Sequence, residues 1–152
     1  MCYNEKNDVL PEPEGEEVMP TLEEARAIFR NDLFAAEQAG IEIVAVDDHY
    51  AKCAMKVTPQ HKNAAGAVMG GALFTLADYT FAIASNLGQS LTVTTTSTIN
   101  FVGTCRGEML YAKSRLIKDG RRSCFFEITI TDDLDNLVAV VTANGMHLDK
   151  KL

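Results

Sequence analysis

The most apolar stretch of the chain runs from Ala72 to Ser85, where apolar side chains occupy nearly every position around a helical projection. Such a helix is expected to be buried rather than to lie on a surface. It follows the double glycine Gly70-Gly71 and carries one carboxylate, Asp78. Aspartate is a poor mid-helix residue, and burying its charge without partners costs several kcal/mol. Asp78 is therefore a candidate for a chemical role.

A second helix and six strands are predicted around that stretch. Residues 21–24 fit a capping box, and apolar residues then recur at helical spacing until Gly40, which predicts an amphipathic helix over about 22–39. Alternating or β-branched runs predict strands at 41–46, 49–57, 91–102, 108–118, 121–131 and 137–148. Asp119-Gly120 is a strong signal for a two-residue hairpin loop.

The order of these elements predicts an α+β domain. One helix, two strands, a long helix and four strands follow one another, and the short turns between strands favour antiparallel neighbours. The curved sheet is expected to wrap the long helix, and its exposed edges then need cover from another subunit. Residues 1–20 contain three prolines and many acids, so we interpret them as a flexible acidic tail before a single domain at 21–152.

The composition limits the binding partners and the cellular compartment that are expected for this chain. A net charge of −7 argues against a nucleic-acid surface or a polybasic membrane patch, although it allows an anionic small molecule. The four cysteines form no Cys-x-x-Cys pair and are interpreted as free thiols, and no secretion signal or membrane span is recognised. A reducing cytoplasm is the predicted location. His49, His61 and His147 have no metal-ligand spacing, so no metal site is predicted.

The double glycine and Asp78 suggest a site that is shared between two chains. The first N–H groups of a helix have no intrahelical acceptor and lie at the positive end of its dipole, so they can stabilise an oxyanion. Asp78 can act as a nucleophile or as a general base on water. It lies roughly 12 Å along the helix from the helix start. Because one helix cannot easily present both groups to one atom, we expect Asp78 to come from a second copy.

The segment Asn63-x-x-Gly66-x-x-Met69-Gly70-Gly71-x-x-x-x-Leu76-Ala77-Asp78, with the strand 92–102 after it, resembles the hotdog-fold acyl-CoA thioesterases of the PaaI-like, phenylacetate-pathway branch. The resemblance runs from about residue 21 to residue 148. It implies a hotdog fold, a homodimer with two active sites at its interface, and often a homotetramer of two dimers. It also implies hydrolysis of an acyl- or aryl-acetyl-CoA to a free acid and coenzyme A, without a metal or other cofactor.

The resemblance implies catalytic roles for five residues. Gly70, with Gly71 beside it, matches the glycine whose backbone N–H polarises the thioester carbonyl. Asp78 matches the catalytic carboxylate, and Asn63 matches the loop asparagine that supports the site. Thr94 falls near a strand hydroxyl that helps to hold the attacking water, although either of the next two threonines fits as well.

Four further residues are expected to contact the substrate: His61, Met69, Phe74 and Phe81. The two phenylalanines flank Asp78 at i−4 and i+3 and are expected to line the acyl tunnel. Many family members carry His or Gln where this chain has Met69, and a thioether cannot donate a hydrogen bond to a carbonyl. A hotdog protein that binds or senses acyl-CoA without rapid hydrolysis is therefore the alternative. A hotdog dehydratase fits less well, because no histidine lies in the helix.

Overall fold

The computed structural model describes residues 19–151, and its elements follow the predicted order. The helical elements are α1 (Leu22–Phe29), a π-helical segment (Phe34–Gln38), a 3-10 turn (Pro59–His61) and α2 (Gly70–Asn86). The strands are β1 (Ile41–Asp47), β2 (Tyr50–Lys56), β3 (Ser90–Phe101), β4 (Met109–Asp119), β5 (Ser123–Asp132) and β6 (Leu137–Lys151). They form one sheet in the order β1-β2-β4-β5-β6-β3, and every pairing is antiparallel.

Helix α2 packs one side against this sheet, and that contact forms the core. Leu76 and Ile83 of α2 are fully buried, and the ring of Phe81 meets Phe126 of β5 edge to face, with ring centroids 5.5 Å apart. Burying side chains of this size contributes about 1.5–3 kcal/mol each. The predicted α+β layout, a long helix against one antiparallel sheet, is confirmed.

Helix α1 begins at the predicted capping box and is anchored on the first strand. The Glu24 N–H donates to Thr21 Oγ1 at 3.2 Å, and the Thr21 N–H donates to Glu24 Oε2 at 2.7 Å. One turn later, the Arg26 guanidinium donates to the Ile43 carbonyl at 2.8 Å. The capping prediction is therefore confirmed, and the helix start is held against β1.

The single helix predicted over 22–39 is wrong, because the chain breaks in its middle. Helix α1 ends at Phe29, and the next helical turns form a separate π-helical segment that begins at Phe34. Asn31 and Asp32 occupy the break, and both residue types favour turns over helix interiors. After the break, Asp32 and Phe34 line a cavity together with residues of α2.

Two predictions about strand connections are also wrong. Strands β3 and β4 follow each other in the chain but are not neighbours, because β3 pairs with β6 at the far edge of the sheet. The pair Asp119-Gly120 does not form a two-residue loop. Asp119 pairs with Cys124, which leaves residues 120–123 between them, and Gly120 lacks the positive φ that a type I′ turn requires.

Two surfaces of the single chain are left uncovered. The expectation that α2 is buried all round is wrong for one chain by itself, because Gly71 and Asp78 are exposed on one side of the helix. Strand β3 is an edge of the sheet, and its Val93 and Phe101 are 39% and 56% exposed. Unpaired edge strands with exposed apolar side chains favour pairing with another chain.

Most of the predicted acidic tail, residues 1–18, lies outside the described residues. Its last two positions, Met19 and Pro20, lie against Gly88, which follows α2. The three described cysteines are free thiols. No helix within residues 19–151 is long and apolar enough to cross a membrane.

Candidate active site

The start of α2 presents two backbone donors that nothing in the described chain satisfies. Met69 is the N-cap residue, and its side chain makes no capping hydrogen bond. The Ala72 N–H donates to the Met69 carbonyl at 3.0 Å, but the N–H groups of Gly70 and Gly71 have no acceptor within residues 19–151. An Asp, Asn, Ser or Thr cap would stabilise the helix by about 1 kcal/mol. Methionine leaves both donors free for a ligand oxygen at the positive end of the helix dipole.

Asn63 shapes the loop that leads to this helix start. Its Oδ1 accepts hydrogen bonds from the N–H groups of Ala65 at 2.9 Å and Ala67 at 3.2 Å. Its own N–H donates to the Ala67 carbonyl at 2.8 Å, and Gly66 supplies the positive φ of +80° that the tight turn needs. The amide nitrogen of Asn63 has no partner within the described chain. The geometry therefore gives Asn63 a structural task in the loop, and its contact with substrate stays a prediction.

His61 lies in the same loop, but both ring nitrogens are already bonded. Nδ1 accepts from the Thr58 N–H at 3.0 Å, and Nε2 donates to the Ala39 carbonyl at 2.9 Å. The residue is only 8% exposed. Its polar atoms are therefore occupied, although the residue lines the cavity that contains Met69 and Gly71, so contact of His61 with substrate stays a prediction. The ring instead ties the end of the π-helical segment to the loop, and the His61 carbonyl accepts from the Met69 N–H at 2.8 Å.

Asp78 lies on the exposed side of α2, beside a cavity of about 500 Å³. The other lining residues come from α2 and from the segment after α1: Asp32, Leu33, Phe34, Ala35, Phe74, Thr75, Tyr79 and Ala82. Within residues 19–151 the Asp78 carboxylate accepts no hydrogen bond. Desolvation raises the pKa of Asp78, and the negative charge of Asp32 raises it further. A carboxylate with these properties is a stronger base than an ordinary surface aspartate.

The helix start and Asp78 lie along one mainly apolar groove. A second cavity of about 320 Å³ is lined by Met69 and Gly71, and it shares Phe34 and Thr75 with the Asp78 cavity. Met69 is 50% exposed there. The prediction that Met69 can contact a ligand is therefore compatible with its position, and an apolar chain can extend along α2 between the two cavities.

The two phenylalanines that flank Asp78 in sequence have different positions. Phe74 lines the cavity with Asp78, as predicted. Phe81 is 1% exposed and packs on Phe126 in the core, so the prediction that it lines an acyl tunnel is wrong. Spacing alone does not separate the two, because residues seven positions apart lie within about 20° of each other around a helix. They differ in their position along α2, and therefore in what packs over them.

Thr94 lies on the exposed edge strand β3, and the structure narrows the choice among the three threonines. Thr94 pairs with Gly145, and a register shift between Thr94 and Thr96 marks a bulge at Thr95. The Thr95 hydroxyl donates to the Asn144 carbonyl at 3.1 Å. The hydroxyls of Thr94 and Thr96 have no partner within the described chain, so these two stay candidates for holding water.

Sequence reasoning missed Asp32 and Phe34. Both lay inside the predicted amphipathic helix, where an acidic residue is expected on the solvent side. Phe34 lies outside the apolar face of that predicted helix, so it was not considered as a site residue. Phe34 is 70% exposed and lines both cavities. The available signal was an aromatic residue outside the apolar face of the predicted helix, three positions after the turn-favouring Asn31.

Comparisons with known proteins agree with this geometry. The chain matches the family model of the thioesterase superfamily over residues 65–139. It is 32% identical over 117 residues to the acyl-coenzyme A thioesterase PaaI of Escherichia coli K12, across 76% of this chain and 83% of that protein. The solved structure of E. coli PaaI matches with a TM-score of 0.79 at 29% identity, covering 84% of this chain and 92% of that chain. The likeness confirms the predicted hotdog fold.

A further solved structure is of a Streptococcus mutans UA159 protein bound to acetyl CoA. It is 26% identical to this chain with a TM-score of 0.70, and the match covers 74% of this chain and 91% of that one.

Proposed function

This chain belongs to the thioesterase superfamily, in its PaaI-like branch, and we propose that it hydrolyses an acyl- or aryl-acetyl-coenzyme A thioester with Asp78 as the catalytic carboxylate. One observation supports this most directly. Asp78 accepts no hydrogen bond within residues 19–151, has a raised pKa, and lies on the uncovered side of α2 beside a mainly apolar cavity. The S. mutans relative bound to acetyl CoA supports a coenzyme A thioester as the ligand.

The reaction follows from these groups. The thioester carbonyl oxygen accepts a hydrogen bond from the Gly70 N–H, next to that of Gly71, and this contact strengthens as negative charge develops on the oxygen. In one route, Asp78 removes a proton from water as the water oxygen adds to the carbonyl carbon. In the other, the Asp78 carboxylate adds to that carbon and the resulting anhydride is hydrolysed by water. In both, the carbon–sulfur bond breaks, and the sulfur leaves as the coenzyme A thiol after it gains a proton.

The leaving group needs little assistance, because a thiolate whose conjugate acid has a pKa of about 8.5 is a weak base that can leave as an anion and then take a proton from water. We therefore propose no metal and no organic cofactor for this reaction. A hydroxyl of Thr94 or Thr96 holds the attacking water, and the Asn63 loop keeps the helix start in place. The free thiols of the described chain support the reducing cytoplasm as its proposed location.

We place the Gly70 and the Asp78 of one active site on different subunits. Eight positions of α2 separate them, which is roughly 12 Å along the helix. Strand β3 has 12 residues and one unpaired edge, so it can pair with the same strand of a second copy. Two identical edges that pair about a two-fold axis give a homodimer with two equivalent sites. The homotetramer of two such dimers is also proposed.

The catalytic proposal is tested with Asp78→Asn. The amide keeps the shape of the side chain and removes the base, so thiol release from aryl-, short- and long-chain acyl-CoAs should fall by about 1,000-fold or more. A chromogenic thiol reagent follows the reaction, and gel filtration checks that the oligomer is intact. Asp149→Asn is the matched control, since Asp149 is exposed and makes no hydrogen bond through its side chain within residues 19–151. An unchanged rate in Asp78→Asn would refute the assignment.

A second function, acyl-CoA binding without rapid turnover, is favoured by one feature. Met69 occupies the position before the double glycine, where its thioether offers no hydrogen to a carbonyl. Tight binding of an acyl-CoA by the unmodified chain, with no thiol release from any member of the panel, would establish binding as the function. If Met69 only slows hydrolysis, Met69→His should raise kcat, because its imidazole adds a donor near the carbonyl.

A further inference from the structure

A cluster of metal-ligating side chains lies near the last turns of α2, away from the double glycine at its start. One ligand atom from each of Asp119, Cys124 and His147 lies within 4.8 Å of the other two. These residues come from the end of β4, the start of β5 and the last part of β6, which are adjacent strands of the sheet. No other such group is found within residues 19–151.

The three side chains suit a zinc-like ion. Carboxylate, thiolate and imidazole are its usual protein ligands, and bonds of about 2.0–2.3 Å put neighbouring ligand atoms roughly 3–4 Å apart. His147 Nε2 and Asp119 Oδ1 are already 3.0 Å apart. The Cys124 ligand atom lies within 4.8 Å of both, so one ion can lie between the three side chains.

The surroundings of His147 orient its ring for this task. Its Nδ1 lies 2.8 Å from Thr92 Oγ1, and that hydroxyl lies 3.1 Å from the Ser85 carbonyl of α2. If Nδ1 carries the hydrogen, it donates to Thr92, whose hydroxyl donates to Ser85, and every polar atom in the chain of hydrogen bonds is satisfied. That tautomer leaves the lone pair of Nε2 free for a metal. A hydrogen bond to the second ring nitrogen is the usual support of a metal-bound histidine.

His49 lies beside the cluster, with a positive φ and a buried ring nitrogen that has no partner in the described chain. It occupies the β1–β2 turn with a φ of +50°, a conformation that favours glycine or asparagine. Its side chain is nevertheless turned inward, 18% exposed, with its ring 6.4 Å from that of Phe126. Nε2 lies 3.9 Å from Asp119 Oδ2, and the buried Nδ1 has no hydrogen-bond partner in the described chain. Nε2 is the nitrogen that faces Asp119, so it is the one that would bind the ion, although His49 is not among the three side chains whose ligand atoms lie within 4.8 Å of one another.

We propose that Asp119, Cys124 and His147, with His49 as the fourth ligand, bind one thiophilic divalent ion of the zinc class. The ion would join the β1–β2 turn, the β4–β5 turn and β6, and so fasten three connections at one end of the sheet. A cysteine that binds such an ion does so as the thiolate, so metal binding displaces a proton and the apparent affinity should rise with pH.

Cobalt(II) is the probe for this site. The untagged full-length chain is stripped with a chelator and titrated with Co²⁺, and we expect equimolar binding with a near-ultraviolet cobalt–thiolate band. Cys124→Ser should lose the band, while Cys105→Ser, which removes another thiol, should keep it. His49→Asn suits the same turn and removes the imidazole, so the affinity should fall about tenfold or more. Zn²⁺ should raise Tm in the unmodified chain, because only the folded state presents the site.

Three outcomes would contradict the proposed metal site. They are a missing band, a band that survives Cys124→Ser, and an affinity that Asp119→Asn leaves unchanged. The last variant changes a partly exposed side chain, so it stays informative if replacing the buried Cys124 prevents folding. The metal site and the hydrolase activity can be tested separately. Removing the metal should lower Tm, whereas Asp78→Asn should leave cobalt binding unaltered.

Discussion

Asp132 and Asp78 have opposite surroundings in the same chain. Asp132 is 1% exposed at the end of β5, and its carboxylate accepts hydrogen bonds from the backbone of Arg106 and Gly107 and from both the backbone and the side chain of Asn136. Burial favours the neutral acid, but the hydrogen bonds outweigh it and hold the pKa of Asp132 well below its usual range. Asp78 has no such donors, and its pKa is raised.

The difference separates a structural carboxylate, Asp132, from the proposed catalytic carboxylate, Asp78, by their hydrogen-bond partners. Both oxygens of Asp132 are used to hold the loop before β4 against the turn after β5, so no acceptor capacity is left for a ligand. Asp78 keeps both oxygens free, and it does so on a helix face that the single chain leaves open. A carboxylate in a cleft with a raised pKa and free oxygens is a candidate for a chemical role.

The largest expected effect comes from Asp132→Asn. The amide nitrogen would face N–H donors at a buried position, so Tm should fall by on the order of 10 °C or the chain should fail to fold. Thermal unfolding measures this, with Asp149→Asn as the exposed control. Asp78→Asn should leave Tm unchanged or slightly higher, because it removes a poorly solvated acid. Equal Tm values for the two variants would contradict the claim that Asp132, but not Asp78, stabilises the fold.

Gly70→Ala should have the next largest effect, on turnover. A Cβ at Gly70 would lie 2.8 Å from Phe101 Cζ, so the aromatic ring or the helix start must move. Where the helix start moves, the displaced oxyanion donor costs about a hundredfold in kcat. At Gly71 the Cβ would meet only the flexible end of Met69, at 2.9 Å. Gly71→Ala should therefore cost less, and thiol release under saturating acyl-CoA measures both. A larger loss at Gly71 would contradict the proposed donor.

Mixing subunits tests whether the donor and the acid come from different chains. A heterodimer of Gly70→Ala and Asp78→Asn has one site with both native groups and one site with neither. Random reassociation of equal amounts should restore about a quarter of the native rate, since half of the dimers are mixed and each has one intact site of two. A mixture no more active than its components, although subunit exchange is complete, would place both groups on one chain.

The sequence predicted the central elements of the fold because their signals are local. The apolar run, the capping box at Thr21 and the alternating strands depend on neighbours a few positions away. The break at Asn31 reflects a local turn preference that the helical spacing of the apolar residues outweighed in the prediction. The separation of β3 from β4 depends on the pairing of β3 with β6, which single-residue preferences do not contain. Folding also brings together residues that are distant in sequence. Phe34 and Asp78 line one cavity, and His49 and His147 both lie near Asp119.

The smallest expected effect is a shift in the pH profile on removing the charge of Asp32. That charge is the second cause of the raised pKa of Asp78, after desolvation. Asp32→Asn therefore lowers the pKa of Asp78, the active carboxylate survives to lower pH, and the acidic limb of kcat/KM should move to lower pH. Added salt should shift the limb in the same direction for the native chain, and less for Asp32→Asn, because it screens the same charge. Asp149→Asn should leave the limb in place. A limb that moves to higher pH in Asp32→Asn would mean that the group titrating is not Asp78.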